Sequence, residues 1–294
     1  MVKYIQRIIR RREIMGMSDI EIGTALSSSS NCKTVIVTSC KGGVGKSTVT
    51  ANLAFALARR GKRVLAVDCD FSNRSLDLIF GCEDSVLYDI CDVIYDRCDI
   101  ERAVIKDERT ENLFFCAAPL ETEEEFSSDQ FSAVLEEAES KFDLDFILVD
   151  TPGAVSETVE LVSGAADMAL IIVSHQPTAA RAAERTGMML DSLGLTDQRL
   201  IVNSFDADAV LSGLRSGINE LIDKTHTRLV GIVPHEYELS LSQEFGKLCG
   251  EVDNKNMRRI AAAFDNIAAR LSGVSTPLLK KVYTGKKRRE LLVR

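Results

Sequence analysis

The chain predicts an α/β fold, a mostly parallel sheet flanked by helices on both faces, from three observations. Short apolar runs recur along it, longer amphipathic stretches separate them, and a glycine-rich turn joins the first run directly to the first amphipathic stretch. The runs are TVIVTS (34–39), RVLAVD (63–68), NLFFCA (112–117), DFILVD (145–150), MALIIVS (168–174), RLIVNS (199–204) and RLVGIVP (228–234). They are too short for helices and rich in β-branched residues, and they run on without alternation, as parallel strands buried on both faces do. The amphipathic stretches include STVTANLAFALARR (47–60), DQFSAVLEEAESKF (129–142), TAARAAERTGMMLDSL (178–193) and NMRRIAAAFDNIAARL (256–271). Strand and helix in alternation imply βαβ units, with ligands at the carboxyl ends of the strands.

With 294 residues, 45% of them hydrophobic, the chain buries a sizeable core, and one large α/β domain accounts for the pattern. SSSSN (27–31) reads as a linker. It divides the chain into a basic amphipathic N-terminal segment (1–31), an α/β domain (32–272) and a basic tail (273–294). The net charge of −8 hides an uneven distribution. Lys3, Arg7, Arg10, Arg11 and Arg12 crowd the start and residues 280–294 carry a net +6, which leaves the body at about −19. An acidic body argues against wide or specific DNA contact, whereas basic ends suit an anionic surface. Eight cysteines without a C-x-x-C pair, and no signal-peptide pattern, point to a reduced cytoplasm. No stretch approaches the roughly 18 uncharged apolar residues that span a bilayer, so membrane contact is expected to be peripheral.

The turn after the first strand reads SCKGGVGKSTV (39–49). The phosphate-loop pattern G-x-x-x-x-G-K-[ST] fails by one residue, because Cys40 stands where its first glycine belongs. What remains runs from Lys41 through Gly42, Gly43, Val44, Gly45, Lys46 and Ser47 to Thr48. The glycines let backbone N–H groups wrap phosphate oxygens ahead of a helix N-terminus. Lys46 would reach the β- and γ-phosphates, and the Ser47 hydroxyl would take a Mg²⁺ site. One lysine serves that purpose, and Lys41 is left over.

Lys41 resembles the signature lysine of the deviant Walker A ATPases, the MinD/ParA family. The resemblance implies a P-loop NTPase fold, ATP and Mg²⁺ as ligands, ATP hydrolysis, and a homodimer across which Lys41 contacts the phosphates held by the other subunit. There its charge would act like an arginine finger. DCDFSNRSLDLIFGCED (68–84) places Asp68 and Asp70 two residues apart, on one side of an extended chain. By resemblance to the MinD branch, whose corresponding stretch also reads D-x-D, R-x-L-D-L and G-C-E, Asp68 orients a Mg²⁺-bound water and Asp70 positions the attacking water. Asp150 in DTPG (150–153) matches the Walker B-like acid that holds Mg²⁺ through water. Asn203 and Pro234 match the strand ends that frame the adenine in this family.

The likeness extends to VLYDICDVIYDRCDIERAVIKDERTENLFFCAAP (86–119), which lies outside the nucleotide site and resembles the MinD branch through Y-D, V-I and I-K-D-x-R-T-E-N-L. It covers roughly residues 33 to 270. Three departures stand out. DTPGA replaces the branch's D-S-P-A-G. Its partner-binding R-D-S-D-R corresponds to Arg181, Ala182, Ala183, Glu184 and Arg185, one carboxylate short, which bears on MinC-like or MinE-like partners. The tail STPLLKKVYTGKKRRELLVR (275–294) forms no clean amphipathic helix and reads either as a lipid-binding basic segment or as a solvated tail. MVKYIQRIIRR (1–11), in contrast, segregates Met1, Val2, Tyr4, Ile5, Ile8 and Ile9 from Lys3, Arg7, Arg10 and Arg11, the pattern of a helix in a membrane interface. It also fits a helix docked on protein.

The leading expectation is a MinD-like ATPase, cytoplasmic and reversibly at the inner face of the membrane, that positions cell-division or related machinery. A ParA-like partition ATPase and a flagellar-number regulator are the alternatives within the family. An iron–sulfur carrier on the same core would need bridging cysteines, and Cys82 and Cys116 lack any paired spacing.

Overall fold

The computed structural model describes residues 32–120, 125–153, 156–279 and 282. The N-terminal segment with its SSSSN linker, Ala154 of the DTPGA motif, and the basic tail from Lys280 onward except Val282 lie outside the described residues.

Eight strands form one sheet in the order β3-β4-β2-β5-β1-β6-β7-β8. They are β1 (Lys33–Thr38), β2 (Val64–Asp68), β3 (Val104–Lys106), β4 (Leu113–Cys116), β5 (Phe146–Asp150), β6 (Met168–Val173), β7 (Gln198–Phe205) and β8 (Arg228–Pro234). The seven apolar runs are all strands, within two residues of the expected bounds, and all pair in parallel. β3 was not expected. It is a three-residue, partly exposed strand antiparallel to β4, too short to show a period.

Among the described residues the helices are α1 (Lys46–Arg59), α2 (Leu76–Phe80), α3 (Ile90–Ile94), α4 (Ile100–Ala103), α5 (Ser128–Phe142), α6 (Glu157–Ser163), α7 (Pro177–Ser192), α8 (Ala207–Leu211), α9 (Ile218–Thr225), α10 (Tyr237–Gln243) and α11 (Lys255–Leu271). The four long helices match the amphipathic stretches. Their boundaries have local causes: a capping box of Ser127 and Gln130 starts α5, Asn254 caps α11, and Pro177 opens α7. No helix among the described residues is long and apolar enough to cross a membrane.

Alternate residues of the central strands serve opposite layers. Val35, Val37, Phe146, Leu148 and Leu170 join one core with α1 and α11, through Leu53, Leu57, Ile260 and Phe264. On the other face Ile171 approaches Gly187 of α7, and Phe114 packs on Phe142 of α5 with ring centroids 5.2 Å apart. Burial on both faces is why these strands read as unbroken apolar runs. It also confines polar chemistry to the carboxyl edge of the sheet.

At β8 the helix layer is so close that Gly231 has no room for a side chain. A Cβ there would overlap Ile267 of α11. Gly231→Ala is expected to destabilise the protein by about 1–3 kcal/mol through overpacking. In an Ile267→Ala background the same change should cost nothing or stabilise, by refilling the vacated space. Urea unfolding of the four proteins checks this, and additive effects would contradict it.

Candidate functional site

The loop Ser39–Gly45 leaves β1 and enters α1 directly. Gly43 (φ 72°) and Gly45 (φ 88°) take left-handed backbone that L side chains rarely adopt. No side chain caps the first amides of α1, in contrast to α5, so those donors face the loop's concavity. The loop is pinned from behind. The Cys40 amide donates to Thr186 Oγ1 of α7 (3.0 Å), and Asn203 Nδ2 donates to the Val44 carbonyl (2.8 Å). A Cβ on Gly45 would overlap that Asn203 amide.

Asn203 reaches the loop because β7 bulges. Its register with β8 shifts between Val202 and Phe205, and Ser204 is left-handed at φ 50°. Pro234 ends β8 opposite Phe205, where the His235 amide donates to the Phe205 carbonyl (3.0 Å). Both residues expected beside a base therefore sit at the carboxyl edge, and Asn203 has a second task as a brace of the phosphate loop.

The two lysines have different surroundings. Lys46 is buried at 6% exposure, and its Nζ lies 3.3 Å from where a Cβ on Gly153 would stand. That same Cβ would come within 2.8 Å of Gly42 Cα, so DTPG touches the phosphate loop only because position 153 is glycine. Lys41 turns to the start of α7, where its Nζ donates to Gln176 Oε1 (2.6 Å) and Thr178 Oγ1 (3.1 Å). Neither partner was anticipated, since nothing in the sequence links positions 135 residues apart.

Asp68 and Asp150 end β2 and β5 as register partners, side by side and fully buried. Asp68 accepts from the amides of Asp70 (2.9 Å), Ser75 (3.1 Å) and Leu76 (3.1 Å), and so organises the turn that starts α2. Asp150 Oδ1 lies 3.2 Å from the Thr50 hydroxyl, while its Oδ2 is buried without a hydrogen-bond partner. Burial pushes Asp150 up to about 8, with the Asp68 charge adding to it and the Ser47 hydroxyl and Lys46 opposing it. Asp68 rises to about 6, again chiefly by burial, against the backbone amides it accepts from. An orphaned carboxylate oxygen beside a serine hydroxyl fits a hard divalent cation. Ser47 Oγ in turn is 2.8 Å from Ser75 Oγ.

The alternation argument for Asp70 does not hold. β2 ends at Asp68, and Asp70 sits in a turn whose carbonyl accepts the Asn73 and Arg74 amides. The side chain is nonetheless nearly buried, at 7% exposure. Thr48 and Asn52 of α1 have further partners: Thr48 Oγ1 bonds Gln243 Oε1 (3.1 Å), and Asn52 Oδ1 accepts the Cys249 amide (2.8 Å). The polar i, i+4 spacing of Thr48 and Asn52 on α1 was a signal for these. His175 is buried, packed edge-on against Phe205 (5.7 Å), and burial together with Arg215 lowers its pKa. Cys116 is fully buried and Cys82 half-buried, and no group of three or more metal-ligating side chains occurs among the described residues.

A glycine loop at a helix start, flanked by buried acids on β2 and β5, defines a P-loop nucleotide-binding domain. Residues 35–249 match the family described as CobQ/CobB/MinD/ParA nucleotide binding domain. The chain is 34% identical over 246 residues to the septum site-determining protein MinD of Synechocystis sp., covering 83% of this chain and 91% of that one. With the Bacillus subtilis protein of the same name it shares 32% over 247 residues, 83% of this chain and 90% of that one. A chain of the solved MinC:MinD cell division protein complex of Aquifex aeolicus matches with a TM-score of 0.77 at 32% identity, covering 84% of this chain and 98% of its own length. The chain belongs to the CobQ/CobB/MinD/ParA nucleotide-binding family, and within it to the MinD branch.

The acid pair has a measurable consequence. In an unfolded chain both carboxyls titrate near 4, roughly. Their raised folded values mean that the unfolded state holds fewer protons between about pH 4 and 8, so stability falls as pH rises through that window. Protein freed of nucleotide and treated with EDTA should lose up to about 1.4 kcal/mol per pH unit per proton between pH 5 and 8, and Asp150→Asn should flatten the curve. Denaturant unfolding across that range checks it. A wild-type curve that rises with pH would contradict it.

Proposed function

We propose that this chain is a Mg²⁺-dependent ATPase of the MinD type that dimerises on ATP, attaches reversibly to anionic membrane, and positions cell-division or related surface machinery. One observation carries the reading: two lysines flank one glycine loop, and they do different things. Lys46 is buried at the loop, where it would hold its own nucleotide, whereas Lys41 leaves the loop for Gln176 and Thr178. A lysine held on its own α7 by two neutral hydrogen bonds is free to be exchanged onto a partner subunit's phosphates, a stronger charged acceptor.

In this reading the amides of Gly42 to Thr48 cradle the phosphates. Ser47 and Asp150, with Asp68 orienting a coordinated water, would hold magnesium, which supplies charge neutralisation at the phosphate oxygens. Asp70 orients the attacking water. Thr48 and Val44 line the cradle, and Asn203 and Pro234 flank the base. Lys41 completes the charge stabilisation only when two loaded copies meet, which makes hydrolysis the timer that separates them.

Dimerisation would double the number of basic segments presented to lipid, and effective concentration strengthens attachment without new contacts. A MinC-like partner is consistent with the relative solved as a MinC:MinD complex. On α7 the exposed Arg181, Glu184 and Arg185 would meet it, with Ala182 half-buried where the branch carries a carboxylate.

Co-sedimentation with anionic vesicles tests this. Asp70→Ala, loaded but unable to hydrolyse, should bind vesicles roughly 10²-fold more tightly with ATP than with ADP through its doubled anchors. Adding Lys41→Ala should abolish that difference while leaving nucleotide binding in place. Equal pelleting in both nucleotides, or none, would overturn the membrane switch.

A further inference from the structure

We infer that Arg109 is a positioning residue for the phosphate-loop helix, acting through the loop that follows α10. The inference rests on the reading of residues 41–48 as a nucleotide site.

Arg109 lies in the β3–β4 turn, inside the KDERTENL stretch that carries family likeness yet has no place in the nucleotide site. All five of its N–H donors are engaged. Nε donates to Asp107 Oδ1 (2.9 Å), Nη2 to Asp107 Oδ2 (2.7 Å) and to the Phe80 carbonyl (2.6 Å). Nη1 donates to the Gly246 carbonyl (3.0 Å) and Glu251 Oε2 (3.0 Å). The side chain is 17% exposed, and its guanidinium stands 5.7 Å from the Phe80 ring centre. Only a planar guanidinium presents five donors in so fixed a fork.

The carbonyls it joins belong to two loops in backbone contact. Gly81 and Gly246 are both left-handed (φ 65° and 62°), and a Cβ on Gly246 would fall 2.5 Å from Gly81 Cα. At that point the two segments meet backbone to backbone, beside an apolar contact in which Phe80, Leu248 and Cys249 share one core. Arg109 supplies the lock, and Glu251 extends it by accepting the Leu248 amide (2.7 Å).

From that loop the contacts run inward to α1. Gln243 holds the Thr48 hydroxyl, and the Cys249 amide holds Asn52, whose Nδ2 donates back to the Thr48 carbonyl (2.8 Å). Gln243 Nε2 is buried without a partner, so its amide has no second tether and its place depends on the loop. At its other end α2 is anchored on Asp68 through Ser75 and Leu76. Arg109 thus closes a ring that joins the acid turn, α2, the 246–251 loop and the first two turns of α1.

Amide hydrogen exchange of the nucleotide-free full chain, paired with ATP titration and steady-state kinetics, tests this on Arg109→Ala, Arg109→Lys and Glu251→Gln. Exchange in both Arg109 variants should rise about tenfold at residues 246–252 and in α1 at 46–53, from loss of charged hydrogen bonds. The KM for ATP should rise by about the same factor with kcat within about twofold, because the helix positions ground-state phosphate contacts. Lysine should not rescue. Glu251→Gln, which keeps the guanidinium and both carbonyl bonds, should shift exchange in the same direction by less, and it stands in if an Arg109 variant does not fold. Exchange that rises only at 80–81 and 107–112, with α1 and KM unchanged, would overturn the inference. A wild-type protein that binds no ATP would overturn the nucleotide reading instead, while the exchange pattern would still decide whether Arg109 holds α1.

Discussion

Two carboxylates that share a buried site, Asp68 and Asp150, set the terms for the whole carboxyl edge of the sheet. They are neighbours because β2 and β5 pair in parallel and end together, and both are fully buried. Buried charge without compensation is costly, so each must be offset locally. Asp68 is offset by three backbone amides, and that choice bends the chain from Asp70 into α2. Asp150 is offset by the Thr50 hydroxyl on Oδ1 and by the nearby Ser47 hydroxyl and Lys46 charge, while its Oδ2 is buried without a hydrogen-bond partner. The architecture thus bears a local deficit that a cation would relieve.

The glycine loop is built around the same edge. Gly153 touches Gly42 because position 153 has no side chain, which brings the β5 acid turn against the loop beside buried Lys46. Asn203, carried in by a bulge in β7, braces the loop from the far side. Lys46 is buried in this packing, whereas half-buried Lys41 turns out of the loop to Gln176 and Thr178, and the proposed switch rests on that difference.

The strands were legible because double-sided burial writes continuous apolar runs, and the long helices because they pair a 3.6-residue stripe with caps such as Asn254. β3 was not, since three half-exposed residues carry no period. The phosphate loop was readable from its glycines alone, and the acids from their places at strand ends. The surroundings of these residues were not readable. Gln176 lies 135 positions from Lys41, Gln243 lies 195 from Thr48, and Arg109 lies 137 from Gly246, so each contact exists only once the fold has closed. Asp70 shows the opposite failure: a local rule of alternation was applied two residues past the end of the strand that licenses it.

The most direct test of the central claim is calorimetric nucleotide titration of the wild type and Asp150→Asn, each with magnesium and with EDTA. If the orphaned oxygen of Asp150 is the cation's place, magnesium should tighten ATP binding to the wild type by tenfold or more, roughly, and leave Asp150→Asn unchanged. An equal gain from magnesium in both proteins would contradict the account, because the buried acid pair would then have no part in holding the ion.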